Sequence, residues 1–332
     1  MSADNDLPVL PTGTEELPDI SPEAKLGEVY FDHAAGCYWV QNSRGDWIRI
    51  NMADLMRRLK AAGFRPRCEP GAAASEVYQK IIEIQNEHDV AYAGSLAGYR
   101  KGITEVCGKR LLITDEPKLI ETREQPWPTI QKLLKNLFRS GKCDQRPQLF
   151  GWLKVAVNSV SSGVWQPGQA LVLAGERQCG KSLLQSIITV VLGGRTAKPY
   201  RYMSGATDFN GELFGAEHLT IEDELSSRYI NARRAFGTQI KQFTVNQVQS
   251  HHGKHRQAIS LTPIWRLSIS VNDEPENLLI LPPIDESMRD KLMLLKAFKK
   301  PMPMPTNTAA EQKAFWHRIE SELPGFLHFL ET

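Results

Sequence analysis

The stretch Gly175-Glu-Arg-Gln-Cys-Gly-Lys-Ser182 constrains this chain more than any other. It reads G-x-x-x-x-G-K-S, follows the apolar run Ala170-Leu-Val-Leu-Ala174 and precedes Leu183-Leu-Gln-Ser-Ile-Ile-Thr-Val-Val-Leu192, which has the length and apolar face of a helix. Strand, glycine loop and helix in that order are the context of a phosphate-binding P-loop rather than of a bare glycine-rich turn. The backbone N–H groups of Gly175, Glu176, Arg177, Gln178, Cys179, Gly180, Lys181 and Ser182, with the positive end of the helix, make a cradle for phosphate oxygens. Lys181 is expected to reach the β- and γ-phosphates, and the Ser182 hydroxyl to sit on Mg²⁺. A chain with this stretch is expected to bind a nucleoside triphosphate.

At 332 residues there is room for two domains, or for one large domain and an appendage. The net charge of +2 says little, because the charge is unevenly spread. Cys37, Cys68, Cys107, Cys143 and Cys179 are scattered and form no C-x-x-C pair, which argues against a disulfide framework and against a zinc site. Cys179, inside the phosphate loop, fits a reducing compartment. There is no signal peptide and no apolar run long enough to span a bilayer, so the expected location is cytoplasmic, with no membrane partner.

Residues 1–26 carry four prolines and many acids with little apolar periodicity, the pattern of a flexible leader. From Gly27 short β-type runs appear: Val29-Tyr-Phe31, Cys37-Tyr-Trp-Val40 and Trp47-Ile-Arg-Ile50. Asn51 has the position of an N-cap for a helix from Met52 to Gly63, Ala73 to His88 reads as a second amphipathic helix, and Arg110-Leu-Leu-Ile-Thr114 as a strand. Residues 27–122 are thus expected to form a small α+β module, closed by the prolines of Glu121 to Pro128. Asp115-Glu116, just before Pro117, reads as a strand-terminal turn more readily than as a metal pair. Thr129 to Arg139 and Arg146 to Ser161 look helical and lead into an α/β NTPase core over 123–305. Lys299 to Pro305 is a proline-rich link, and residues 306–332 a helical segment in which Ala309 to Leu323 precedes Pro324-Gly325.

Three further features belong to the core. Glu217-His-Leu-Thr-Ile-Glu-Asp-Glu224 is a hydrophobic strand ending in acids, a Walker B pattern in which Asp223 would hold Mg²⁺ and Glu224 would polarise the attacking water. Trp265-Arg-Leu-Ser-Ile-Ser-Val-Asn272 is a strand ending in an amide, which either orients that water or makes a turn with Asp273. Between them, from Leu225 to Asn272, there is no Asp or Glu, whereas Arg228, Arg233, Arg234, Lys241, Lys254, Arg256 and Arg266 fall there. Thr244-Val-Asn-Gln-Val-Gln-Ser250 and Gln257-Ala-Ile-Ser-Leu261 flank His251-His-Gly-Lys-His255 as the arms of a hairpin with a basic tip. Such a tip suits a phosphate backbone, with His252, Lys254, His255 and Arg256 as the contacts. With no cysteine or carboxylate nearby, the histidines do not read as a metal site, which leaves a solvated basic loop as the plain alternative. Arg289, in Leu281-Pro-Pro-Ile-Asp-Glu-Ser-Met-Arg-Asp-Lys291, is the first candidate for a cation supplied across a subunit interface, with Arg233 or Arg234 as the alternative.

The P-loop, the Asp-Glu strand, the basic hairpin and the Asn-ended strand, in that order, resemble the superfamily 3 helicase core of phage and mobile-element primase-helicases. Phe209-Asn-Gly-Glu-Leu-Phe-Gly-Ala-Glu-His218, Phe236-Gly-Thr-Gln-Ile-Lys241 and Leu261-Thr-Pro-Ile-Trp-Arg266 are similar to that group, and Ala93-Gly-Ser-Leu-Ala-Gly-Tyr99 less specifically so. The resemblance implies an AAA+ fold, ATP and Mg²⁺, hexamers hydrolysing ATP at subunit interfaces, and translocation on single-stranded or forked DNA with Lys254 and His255 facing the channel. Two departures stand out. The paired basic residues expected before the last strand are interrupted in Arg289-Asp-Lys291. No primase carboxylate set is present, so priming is expected from a separate primase or polymerase. The expected function is a replicative DNA helicase or translocase; the alternative is an ATP-dependent initiator or helicase loader. A small-molecule kinase would not need the acid-free stretch with its basic hairpin.

Overall fold

The computed structural model describes residues 21–222, 230–254 and 257–332. They divide into two compact units, residues 21–31 with 37–89, and residues 32–36 with 90–332. The division falls ahead of the 122–123 boundary drawn from the prolines. The backbone after residue 90 is tied into the larger unit: Ala97 N donates to Phe214 O (2.7 Å), and Ile264 N to Ala97 O (2.9 Å).

The smaller unit begins with a helix, Pro22–Leu26, started by the Ser21 hydroxyl. That helix lies within the stretch expected to be a leader, whose residues 1–20 are outside the described residues. Strands β1 (Val29–Asp32), β2 (Cys37–Gln41) and β3 (Trp47–Ile50) are followed by helices α1 (Met52–Ala62) and α2 (Glu76–Glu87) and a short β4 (Asp89–Val90). The sheet order is β3-β2-β1-β4. Asn51 caps α1 through Asp54 N, and Ser75 caps α2 through Tyr78 N, each satisfying a helix-start N–H. Leu55 and Leu59 of α1, and Val77, Ile81 and Ile84 of α2, recur at helical spacing and bury against Val29, Tyr38 and Val40.

In the larger unit β5 (Tyr92–Gly94), β6 (Gly102–Val106) and β7 (Lys109–Ile113) form a small sheet. Helices α3 (Pro128–Phe138) and α4 (Arg146–Ser162) lead to β8 (Ala170–Gly175), α5 (Lys181–Val191), β9 (Thr196–Ala197), β10 (His218–Glu222) and α6 (Ile230–Val245). The hairpin strands β11 (Gln249–His251) and β12 (Ile259–Leu261), then β13 (Arg266–Val271), β14 (Leu292–Ala297) and α7 (Ala309–Glu331), complete it. The main sheet is parallel throughout, in the order β9-β10-β13-β8-β14. Its faces are covered separately. Leu171 and Leu173 pack with α3, α4, α5 and α7, while Ala170 and Val172 pack with Phe236, Ile240 and Phe243 of α6. A strand buried on both faces reads as an unbroken apolar run, which is why β8 stood out in the sequence.

Pro324-Gly325 does not end the last helix. The apolar face Phe315, Ile319, Leu323, Phe326, Leu330 runs straight through it and is buried. Burial of that face outweighs the cost of an interior proline, about 3 kcal/mol. Glu322, on the same helix, accepts from the backbone N–H groups of Thr129 (2.8 Å) and Ile130 (3.1 Å), capping α3 from outside.

One buried polar chain joins α5 to the sheet. Thr189 donates its hydroxyl proton to Gln185 O (3.0 Å), so its oxygen accepts from His218 Nδ1 (2.7 Å); His218 Nε2 then accepts from the Ser268 hydroxyl (2.8 Å), which accepts from Gln185 Nε2 (2.9 Å). Every hydroxyl proton is used, which specifies the neutral Nδ1–H tautomer. Burial pushes the His218 pKa down to about 3. Above pH 6.5 the imidazole is neutral in folded and unfolded chains alike; below it only the unfolded chain takes the proton, so stability falls as pH drops towards 3. Between pH 7 and 5 this group alone is expected to cost about 2 kcal/mol. Denaturant unfolding at both pH values should show a shallower loss for His218→Asn; equal losses would mean that His218 charges freely in the fold.

Candidate functional site

The parallel register decides what meets the phosphate loop. β8 and β13 are in step from Leu171 opposite Ser268 to Ala174 opposite Val271, so Asn272 leaves its strand beside the start of the loop. On the other side β14 runs so close that a Cβ on Gly175 would lie 2.2 Å from Ala297 O. The loop itself turns through positive φ at Gln178 (59°) and Gly180 (108°). A glutamine held in that region carries strain of the kind that collects at functional sites.

Lys181 is only 7% exposed. Its ammonium donates to Gly175 O (2.7 Å), Glu176 O (2.9 Å) and Asn272 Oδ1 (3.1 Å). The three protons of the ammonium have neutral acceptors, and no ion pair to Lys181 occurs among the described residues. Ser182 is exposed on the first turn of α5. Around them lies an open cavity of about 690 Å³, lined by Arg177 through Leu183 and by Ser270, Asn272 and Met302. Its size and its cluster of donors suit a nucleoside triphosphate, phosphates at the loop. Asp223 and Glu224 lie outside the described residues, as do His255 and Arg256. The strand leading to the acids, β10, ends at Glu222 opposite Ser270, directly beside the Asn272 strand.

The hairpin forms, with shorter arms than expected. Thr244 and Val245 complete α6 instead of opening the first arm, and Thr244 turns its hydroxyl back onto Ile240 O (2.8 Å). His251 is not part of the tip: it lies in β11, 5% exposed, edge-on to Phe214 (4.8 Å) and Tyr92 (5.2 Å). His252 is half-buried and Lys254 exposed. The hairpin is bolted to the segment before β10 by Asn210, which is 4% exposed. Asn210 donates from Nδ2 to Ser250 O (2.8 Å) and accepts at Oδ1 from His252 N (2.7 Å). Its neighbour Phe209, 44% exposed, lies 5.3 Å from the His252 ring. The sequence places Phe209 and Asn210 at the start of a segment that carries the resemblance but assigns neither a role, because nothing in a segment without periodicity tells which strand it will meet.

The three arginine candidates differ. Arg233 donates from Nε to its own chain's Leu281 O (2.9 Å), and Arg234 is exposed. Arg289 is exposed at the end of a one-turn helix ahead of β14. β14 has six residues and reaches the loop only at its far end, Ala297 opposite Gly175, so Arg289 is about 20 Å from its own phosphate loop.

Arg195 and Glu217, just ahead of β9 and β10, form a largely buried ion pair. The carboxylate accepts from Arg195 through both Nε (3.0 Å) and Nη2, and from Gly98 N (2.8 Å). Burial works against the Arg195 charge, and the Glu217 carboxylate overcomes it, leaving the pKa raised. Arg266 has no such partner among the described residues, and burial lowers its pKa to about 10.

No group of three or more His, Cys, Asp or Glu side chains able to hold a metal occurs among the described residues, and no described helix is long and apolar enough to cross a membrane. No protein-family profile matches the chain, and no curated protein matches it. Among solved structures, the apo form of the NrS-1 C-terminal region is similar over 92% of this chain and 66% of that one, with a TM-score of 0.62 at 14% identity. A second structure of that region, its A form, gives a TM-score of 0.60 at the same identity and the same coverage. The chain therefore spans just under two thirds of the NrS-1 region that it matches. A JCV helicase structure reaches only a TM-score of 0.32 at 10% identity, over 60% of this chain and 57% of that one, which carries no argument. What the likeness establishes is the fold: a mixed α/β architecture built on a parallel sheet and shared with the NrS-1 C-terminal region.

Proposed function

We propose that this chain is an ATP-driven DNA motor with an AAA+ core of the superfamily 3 helicase type. The observation that carries the reading is the seat of Lys181, whose ammonium bridges the loop carbonyls and Asn272 Oδ1 at the end of a neighbouring parallel strand. A triphosphate entering the cradle would take over donors now turned on neutral oxygens, and Asn272 would stand beside the terminal phosphate. Mg²⁺, held by Ser182 and Asp223, would supply further neutralisation of the phosphate charge. Glu224 is assigned to the attacking water and Asn272 to its orientation.

Arg289 is assigned to a neighbouring subunit's site. It is too far from its own loop to act there, and an exposed guanidinium at one end of the sheet suits a ring in which sites lie between subunits, as in a hexamer. Lys254, His252, His255 and Arg256 are assigned to the phosphate backbone of single-stranded DNA, and Phe209 beside His252 offers a ring for stacking. A separate primase or polymerase would complete the replication machinery.

The test is ATP hydrolysis with and without single-stranded DNA, run beside strand displacement on a forked duplex. Stimulated hydrolysis with displacement supports the motor. Hydrolysis without displacement turns the reading into an initiator or loader, and no hydrolysis under either condition overturns it. Lys254→Ala is expected to lose DNA stimulation while keeping hydrolysis in its absence, because an exposed tip lysine contributes only to the backbone contact. Full stimulation in that variant would remove the hairpin from DNA binding.

A further inference from the structure

Met302 lines the same cavity as the phosphate loop although it follows that loop by more than a hundred residues. It lies in Pro301-Met-Pro-Met-Pro305, where alternate prolines stiffen the backbone and remove N–H groups. The strap is pinned where it passes α3: Phe298 N donates to Leu137 O (2.9 Å), Asn136 Nδ2 donates to Pro301 O (2.8 Å), and the Lys300 ammonium donates to Arg139 O. Just upstream, Gln145 bonds both the N–H and the carbonyl of Lys296, at 2.9 Å each. The thioether then reaches the loop, since a Cβ on Gly180 would lie 3.0 Å from Met302 Cε. Met302 is half-buried, leaning on the apolar cluster below while one side faces the cavity.

The cavity's lining is mixed, with side-chain donors on Arg177, Gln178, Lys181, Ser182, Ser270 and Asn272. Leu183 and Met302 are apolar members of that lining, and neither side chain offers a hydrogen-bond donor; the thioether is a weak acceptor. We propose, resting on the nucleotide reading above, that the nucleobase lies on Met302 and is held by apolar and sulfur–aromatic contact, so that ring area and not the base's hydrogen-bonding edge governs affinity. ATP and GTP would then bind alike, and pyrimidine triphosphates more weakly. A site built to hydrogen-bond a base edge would instead reject the wrong base by orders of magnitude.

The test is displacement of a fluorescent ATP analogue from the full chain by ATP, GTP and inorganic tripolyphosphate. Met302→Ala is expected to weaken ATP and GTP together by about five- to tenfold, the loss of one apolar contact face. Tripolyphosphate, which has no base, should bind wild type and variant equally. Met302→Leu, similar in volume, should return ATP affinity to within about twofold of wild type. The inference is overturned if Met302→Ala binds ATP like wild type, if tripolyphosphate weakens as much as ATP, or if wild type prefers ATP over GTP by more than about a hundredfold. A wild type that binds the analogue not at all removes the nucleotide reading and this inference with it.

Discussion

Lys181→Ala is expected to lower ATP turnover by at least about a hundredfold, the usual cost of removing one preorganised donor from a charge-developing site. The substitution takes away the positive charge seated at the root of the loop, and the backbone N–H groups that remain there carry partial charges. It should do so without unfolding the chain. Lys181 is nearly buried with neutral acceptors and no counter-ion among the described residues, so its charge is already costly to the fold. Losing three hydrogen bonds and losing that cost oppose one another, and thermal unfolding should shift by only a few degrees. Hydrolysis at the wild-type rate by well-folded Lys181→Ala would sink the assignment of the loop.

The largest effect on stability is expected at Arg195. The Glu217 carboxylate is fully buried and the Arg195 side chain 15% exposed, and the guanidinium also bonds Asp115 O (3.1 Å). Arg195→Met leaves a buried carboxylate with the Gly98 N–H as its remaining direct donor, which should cost about 3–5 kcal/mol. For a unit of this size that is a fall of roughly 6–20 °C in Tm. Replacing both partners, as Arg195→Met with Glu217→Leu, should recover much of the loss, because an apolar pair in place of a buried ion pair is often near neutral. The measurement is Tm for both singles and the double. A double that melts no higher than Arg195→Met would mean that the pair holds nothing beyond its side-chain volumes.

The elements of the phosphate loop were legible because three local signals agreed: an apolar run, glycines at fixed spacing, and a helical period. The run Ala170 to Ala174 became β8, and the helix starts at Lys181. Trp265 to Asn272 was legible for the same reason, as a strand buried along its whole length. Thr244 was misread as strand because β-branched residues favour strands only weakly, and its hydroxyl satisfies a helix carbonyl instead. Pro324 was misread as a stop because the opposing term, burial of Phe326 and Leu330, is tertiary. Met302 was invisible in the same way: a proline-rich strap has no period, and only the return of the chain over α3 brings its thioether to the loop. The Asp-Glu pair and the outer half of the hairpin tip lie outside the described residues, so their roles remain sequence assignments.

β13 has a mechanical consequence. All six of its residues are buried between strands on both sides, and its two ends serve different regions. Asn272, just past the carboxyl end, touches Lys181; the amino end continues through Thr262–Trp265 into the hairpin arm β12. A fully packed strand does not stretch, so it behaves as a connecting rod about 20 Å long. The ladders on both sides keep Asn272 and the root of the hairpin at a fixed separation, so neither end can shift along the strand axis without the sheet around it.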